Sequence, residues 1–205
     1  MANSKLIVVE GPQGVGKTTI TDFLRHSIPY TNLYRLSGIS DSSKEGYQKS
    51  VDMYNVLLDY LEQMANKNIN LVFDRTFFTE ENYCRLGKKE YSFTDAYYKL
   101  LERFSNLDFD IYYMNLYLGK EEMFDQRLNR EGKANNKYAS FSRENSLKQQ
   151  EMYMEMADEI AEKYPNINVS NIDNSKDIEV VKEKIEEILG LREKVEPKKV
   201  DMDIE

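Results

Sequence analysis

Along the chain, short continuous apolar runs alternate with longer stretches in which apolar residues recur every three or four positions. Leu6-Ile-Val-Val9 opens the series as a buried strand over residues 6–10, and a helix is predicted over 17–26, stopping before Pro29. Residues 32–36 read as a second strand. Val51, Tyr54, Leu58, Leu61 and Ala65 share one helical face, and the asparagine-rich segment 66–70 ends that helix. Strands follow at 69–73 and 111–118, with a helix over 93–104 between them and another over 120–130. Residues 131–142 are polar and without apolar period, which predicts a loop. Leu147, Met154, Ala157, Ala161 and Tyr164 keep helical spacing up to Pro165; a fifth strand is expected at 167–172 and a last helix over 178–189, stopped by Gly190. Buried strands separated by amphipathic helices are the signature of an α/β fold, a parallel sheet covered on both faces.

The length, 205 residues, suits one domain, here expected over residues 1–190, with a charged tail at 191–205. No internal repeat interrupts this reading. The single cysteine, Cys84, has no partner for an intramolecular disulfide and no metal-ligand spacing, which points to a reducing, cytoplasmic setting. The apolar run at 6–9 is too short for an export signal or a membrane span, so no membrane association is expected.

Charge narrows the ligand. With 28 Lys and Arg against 36 Asp and Glu, the chain carries a formal −8, which speaks against long nucleic acids. Between Arg130 and Lys148, however, five basic residues face two acidic ones. A small anion fits that distribution better than a polyanion.

The chemistry begins where the first strand ends. Gly11-Pro-Gln-Gly-Val-Gly-Lys17-Thr18 has the phosphate-binding loop pattern and stands between a strand and a helix, as the pattern requires. Its glycines let backbone N–H groups turn toward phosphate, Lys17 reaches the β- and γ-phosphates, and the Thr18 hydroxyl can ligate Mg²⁺. Gly11, Gln13, Gly14, Val15, Gly16, Lys17, Thr18 and Thr19 are therefore the candidate ATP contacts. Asp74, at the end of the third strand, is a second anchor for Mg²⁺, and Arg75 beside it can neutralise an incoming anion. Arg127 and Arg130, with Lys133, Lys137 and Arg143 nearby, form a basic segment suited to stabilise charge on a transferring phosphoryl group. Tyr47, Tyr54 and Tyr83 are candidates to stack on a base. His26, the only histidine, ends a helix and receives no catalytic role.

Together these residues resemble the P-loop nucleoside and nucleotide kinases, thymidylate kinases most, over about residues 5–189. Glu10-Gly-Pro-Gln13-Gly-Val-Gly16-Lys17 is similar to their Glu-Gly-x-Asp-Gly-x-Gly-Lys, with Gln13 in the place of the aspartate. Arg35-Leu-Ser-Gly38 keeps the arginine and glycine of their Arg-Glu-Pro-Gly, and Asp74-Arg75 matches their strand-end pair. Arg127, Arg130, Tyr153 and Ile172-Asp173 are similar to the family's basic lid, lid helix and adenine-side strand end. The resemblance implies a three-layer P-loop fold with sheet order 2-3-1-4-5 and a lid at about 131–142. It also implies ATP and Mg²⁺ as cofactors, a nucleotide acceptor near Glu10, Gln13, Arg35, Asp74 and Arg75, adenine near Arg127 and Asp173, and a tendency to form homodimers.

Two departures bear on the acceptor. No arginine stands between Arg35 and Arg75 to read thymine, and Leu36 replaces the glutamate that deoxynucleoside kinases use as a base. A hydroxyl acceptor needs a positioned base, whereas a monophosphate oxygen is already anionic near neutral pH and needs mainly positive charge. The sequence therefore favours transfer to a (deoxy)nucleoside monophosphate. A deoxynucleoside kinase with Asp74 as base is the alternative. A nucleotide switch or motor lacks Asn-Lys-x-Asp and a glutamate beside Asp74, and a polynucleotide-end kinase lacks a basic track.

Overall fold

The structure, a computed structural model, describes residues 4–128 and 142–191. The apolar run at the start becomes β1 (Lys5–Glu10), the central strand. It pairs in parallel with β3 (Asn70–Asp74) on one side and β4 (Asp110–Tyr117) on the other. β2 (Thr31–Arg35) lies outside β3, and β5 (Ile167–Asp173) outside β4, giving the order β2-β3-β1-β4-β5 implied above. Register sets Val9 beside Asp74 and Asp74 beside Arg35, so the carboxyl ends of three strands deliver Glu10, Asp74 and Arg35 to one edge. Open α/β sheets bind ligands along that edge.

Strand alternation distributes β1 between two cores. Leu6 and Val8 pack with α2 (Gly46–Met64), α3 (Phe77–Arg85), α4 (Thr94–Ser105) and α6 (Arg143–Lys163). Ile7 and Val9 pack with α1 (Lys17–Ser27), α5 (Met123–Leu128) and α7 (Ile178–Leu189). All four side chains have no exposed surface. At about 2 kcal/mol each for full burial, they make β1 a stiff base for the loop that follows it.

Three helices differ from expectation. The helix α3 was not predicted at all, because its periodicity is hidden: Thr79, Glu80, Glu81 and Asn82 are buried along with Phe77 and Phe78. Two faces of this helix meet protein, one apolar and one polar, so hydrophobicity does not mark a stripe. α2 begins at Gly46 rather than near 51; Gly46 sits so close to Asp41 that a Cβ would lie 2.1 Å from its carbonyl oxygen. α6 begins at Arg143, directly after the segment read as loop and a turn before Leu147, the first residue read as keeping helical spacing, with Ser142 as N-cap accepting from the Asn145 N–H at 3.1 Å. Its first turns are polar because they meet the phosphate loop rather than the core. α7 ends where expected, at Gly190 in the left-handed conformation. Arg130, Lys133, Lys137, nearly all of the expected lid and the tail at 192–205 lie outside the described residues.

Candidate functional site

The loop from Gly11 to Gly16 turns through three left-handed glycines, with φ of 142° at Gly11, 80° at Gly14 and 100° at Gly16. Gly11 and Gly16 are also steric necessities. A Cβ at Gly11 would lie 2.5 Å from the Leu116 carbonyl oxygen, and one at Gly16 would lie 2.5 Å from Asn174 Nδ2. Only glycine lets β4 and the β5–α7 connection approach the loop this closely. The tip is gripped from α6: the Gln13 N–H donates to Gln149 Oε1 at 3.0 Å, and Ser146 Oγ donates to the Gln13 carbonyl at 3.0 Å. The far side is clamped at the Val15 carbonyl, which accepts from Arg127 Nη1 at 2.5 Å and Asn174 Nδ2 at 2.7 Å. Lys17, 6% exposed, donates to the Gly11 and Pro12 carbonyls at 2.7 and 2.8 Å.

In front of this loop lies a cleft of about 740 Å³. Gly14, Gly16, Lys17, Thr18, Thr19, Arg35, Asp74, Arg75 and Arg127 line it, so about half of the residues singled out from sequence converge there, whereas Gly11, Gln13 and Val15 are not among its lining. Leu36, Ser37, Asn174, Lys176 and Ile178 line it as well, and of these the sequence reading gave a role to none. Among the described residues five cations, Lys17, Arg35, Arg75, Arg127 and Lys176, line the cleft against one carboxylate, Asp74. Asp74 is 7% exposed and lies 3.8 Å from Arg35, whose other side holds Asp22 at 2.6 Å.

Arg75 sits in an unusual backbone state, φ 72°, which for a residue with a side chain costs about 1 kcal/mol or more. What fixes it is the carboxylate of Glu10. Glu10 has no exposed surface; its Oε1 accepts from the Thr76 N–H at 2.7 Å and Oγ1 at 3.2 Å, and its Oε2 from Thr79 Oγ1 at 2.7 Å. Thr79 continues to the Tyr153 hydroxyl at 2.9 Å. The carboxylate thus serves as the N-terminal cap that α3 otherwise lacks, and it secures the turn carrying Arg75. Burial pushes Glu10 up to about 7, against the hydrogen bonds from Thr79 and Thr76 and the charges of Lys17 and Arg75.

Several sequence assignments change with this geometry. Glu10, expected at the acceptor, stands behind Arg75 with both oxygens engaged. Arg127, expected over the donor nucleotide, still borders the cleft but directs its guanidinium at the Val15 carbonyl and, at 2.7 Å, the Asn174 carbonyl. Asp173, expected near adenine, accepts from the Gly119 N–H and from Ser175, closing a turn; the cleft receives its neighbour Asn174 instead. Tyr54 is fully buried, edge-on to Phe77, and offers no face to a base. Tyr47 packs edge-on against Tyr91. Tyr83 stays near the cleft, its hydroxyl 3.4 Å from Arg75 Nη1. Asn174 could have been suspected as the polar residue directly after the Ile172-Asp173 strand end.

Thr18 and Asp74 border the same cleft, a donor set suited to Mg²⁺. Among the described residues no group of three or more His, Cys, Asp or Glu side chains could hold a metal alone. An ion here would take its remaining ligands from phosphate and water, which is how Mg²⁺ is commonly held.

The fold recurs in solved structures. The chain aligns with a thymidylate kinase from Candida albicans over 93% of each chain, with a TM-score of 0.67 and 17% identity. The chain has the fold of the P-loop nucleotide kinases. A deoxyadenosine kinase from M. mycoides with bound dCTP aligns over 91% of this chain and all of its own, with a TM-score of 0.54 and 20% identity. No protein-family model and no curated protein matches the sequence. At these identities the shared feature is the fold, and the chemistry must be argued from the cleft. Among the described residues no helix is long and apolar enough to cross a membrane.

Proposed function

We propose that this chain is an ATP-dependent kinase that transfers the γ-phosphoryl group to a (deoxy)nucleoside monophosphate. The observation that carries the reading is the charge of the cleft: among the described residues, five cations against one carboxylate in a molecule whose net charge is −8. Bringing two phosphorylated anions together is the main electrostatic obstacle in such a transfer, and positive charge fixed in advance lowers it.

The loop amides and Lys17 would hold the β- and γ-phosphates at the N-terminus of α1. Lys17 must leave the carbonyls of Gly11 and Pro12 to do so, exchanging two neutral acceptors for charged ones. Thr18 and Asp74 would hold Mg²⁺, which supplies charge neutralisation to the phosphates when bound. Arg75, fixed by Glu10 through Thr76, would orient the acceptor phosphate in line with the donor. Arg127 acts one step back, holding the Val15 carbonyl.

A 5′-hydroxyl acceptor is the second reading, resting on Asp74 as base. Against it, Leu36 stands in the cleft where a glutamate would serve, and Arg35 lies beside Asp74. A glycine-loop ATPase or switch is the remaining class.

ADP formation measured with each common deoxynucleoside and its monophosphate separates all three. The proposal expects ADP only when a monophosphate is present, and Lys17→Ala should lower that rate by at least a thousandfold. ADP formation indifferent to any acceptor, or seen only with nucleosides, would sink it.

A further inference from the structure

The sheet order separates the two ends of the cleft. Arg35, Asp74 and Arg75 come from β2, β3 and the turn after it, whereas Asn174, Lys176 and Ile178 come from the chain after β5, at the opposite edge of the sheet. β1 and its glycine loop lie between them. In-line transfer turns the γ-phosphate toward the acceptor at Asp74 and Arg75, so the α-phosphate of the donor points the other way, toward the β5 end.

The β5–α7 connection is pinned on both sides of one lysine. Asp173 Oδ1 accepts from the Gly119 N–H at 3.0 Å, the Ser175 N–H at 3.0 Å and Ser175 Oγ at 2.6 Å. The Asn174 N–H donates to the Tyr117 carbonyl at 2.8 Å, and Asp177 caps α7 by accepting from the Glu179 N–H at 2.9 Å. Lys176, between them, is exposed, lines the cleft and makes no hydrogen bond or ion pair among the described residues. The next lysines, Lys182 and Lys184, pair with Glu179 and Glu187 at 2.8 and 3.0 Å. Arg127, the cation that the sequence set over the donor, is committed to the carbonyls of Val15 and Asn174.

We propose that Lys176 binds the α-phosphate of the donor nucleotide, taking the place expected for Arg127. The inference rests on the kinase reading above and assigns the inner end of its donor. A lysine ammonium is a compact charge on a flexible stem, suited to a single phosphate oxygen rather than to a planar pair. The fixed turn brings that stem to the cleft next to Gly16, which Asn174 approaches so closely that only glycine fits. No bond to the α-phosphate forms or breaks during transfer. A contact there is equally strong in the ground state and the transition state, so it lowers KM for the donor without raising kcat.

The test titrates ATP, GTP, ADP and inorganic tripolyphosphate, each with Mg²⁺ and no acceptor, into the wild type, Lys176→Met, Lys176→Arg and Lys184→Met. Lys176→Met should raise Kd for all four ligands about tenfold, the loss of one charge-assisted contact. Lys176→Arg should recover most of that loss, and Lys184→Met, which removes an equal charge from α7, should stay within twofold of the wild type. With acceptor present, Lys176→Met should raise KM for ATP while kcat stays within twofold. A loss confined to ATP or to GTP, with tripolyphosphate unaffected, would show that Lys176 reads the base and would overturn the assignment. So would an equal loss in Lys184→Met, which is the mark of long-range charge alone. If the wild type phosphorylates monophosphates and Lys176→Met binds ATP as well as it does, the Lys176 assignment is wrong and the kinase reading stands. If ATP binding depends on Lys176 but no acceptor yields ADP, the assignment stands and the kinase reading falls. A wild type that binds no nucleotide overturns both.

Discussion

The two halves of the cleft are held by different kinds of contact. On the donor side the loop is shaped by backbone: three left-handed glycines, a clamped Val15 carbonyl and a Gln13 peptide gripped from α6. On the acceptor side Arg75 is placed by buried side chains, with Glu10, Thr76, Thr79 and Tyr153 forming a chain of hydrogen bonds beneath it. Backbone dipoles recognise any triphosphate, whereas a charge on a tuned side-chain network can be made to suit one acceptor. The difference predicts that damage to one half should leave the other nearly intact.

The sharpest way to break this division is Arg75→Ala. Loss of the cation that meets the acceptor should reduce kcat/KM for the monophosphate about a thousandfold, while ATP affinity, measured by calorimetry without acceptor, stays within twofold. Comparable losses in both would show that the halves are one network.

The same difference explains what the sequence could and could not reveal. The donor half is legible because its contacts are local: consecutive residues between a buried strand and a helix spell the loop, and the spacing of glycines stands for geometry directly. Asp74-Arg75 was legible too, by its place at a strand end. The acceptor half is assembled from residues far apart in the chain. Glu10 meets Thr79 across 69 positions and Thr79 meets Tyr153 across 74, and no local pattern marks either pair. It also hides the helix that carries it, since α3 buries polar and apolar residues alike. Tyr54 was misread for a related reason: aromatic residues on a helix face are ambiguous between core and ligand, and here the core claims it.

Glu10 supplies the second way to sharpen the comparison, through pH. The folded chain keeps a proton on Glu10 up to about 7, while the unfolded chain releases it near 4.5. Between those values the native state binds more protons, so this group's contribution to stability falls as pH rises and levels off above about 7. Relative to Glu10→Gln, which keeps an acceptor for the Thr76 N–H, the wild type should lose roughly 3 kcal/mol from pH 4.5 to 7. Urea unfolding of both proteins at several pH values reads this difference. A difference that stays flat, or that grows in favour of the wild type, would mean that Glu10 is ionised throughout.

The smallest effect belongs to the clamp on the donor side. Asn174 donates to the Val15 carbonyl at 2.7 Å and is 4% exposed, so Asn174→Ala removes one hydrogen bond without exposing much apolar surface. Arg127 still holds the same carbonyl, so the expected loss is that of one net hydrogen bond, about 1 kcal/mol, or a fivefold rise in KM for ATP. KM for the acceptor should not change. Asn174→Asp distinguishes the hydrogen bond from mere packing, because a carboxylate of nearly the same shape cannot donate and instead repels the Val15 carbonyl oxygen. If the clamp positions the loop, Asp must be worse than Ala despite filling the space better. Equal kinetics for the two variants would mean that Asn174 only fills the gap above Gly16, and that Arg127 alone sets the loop.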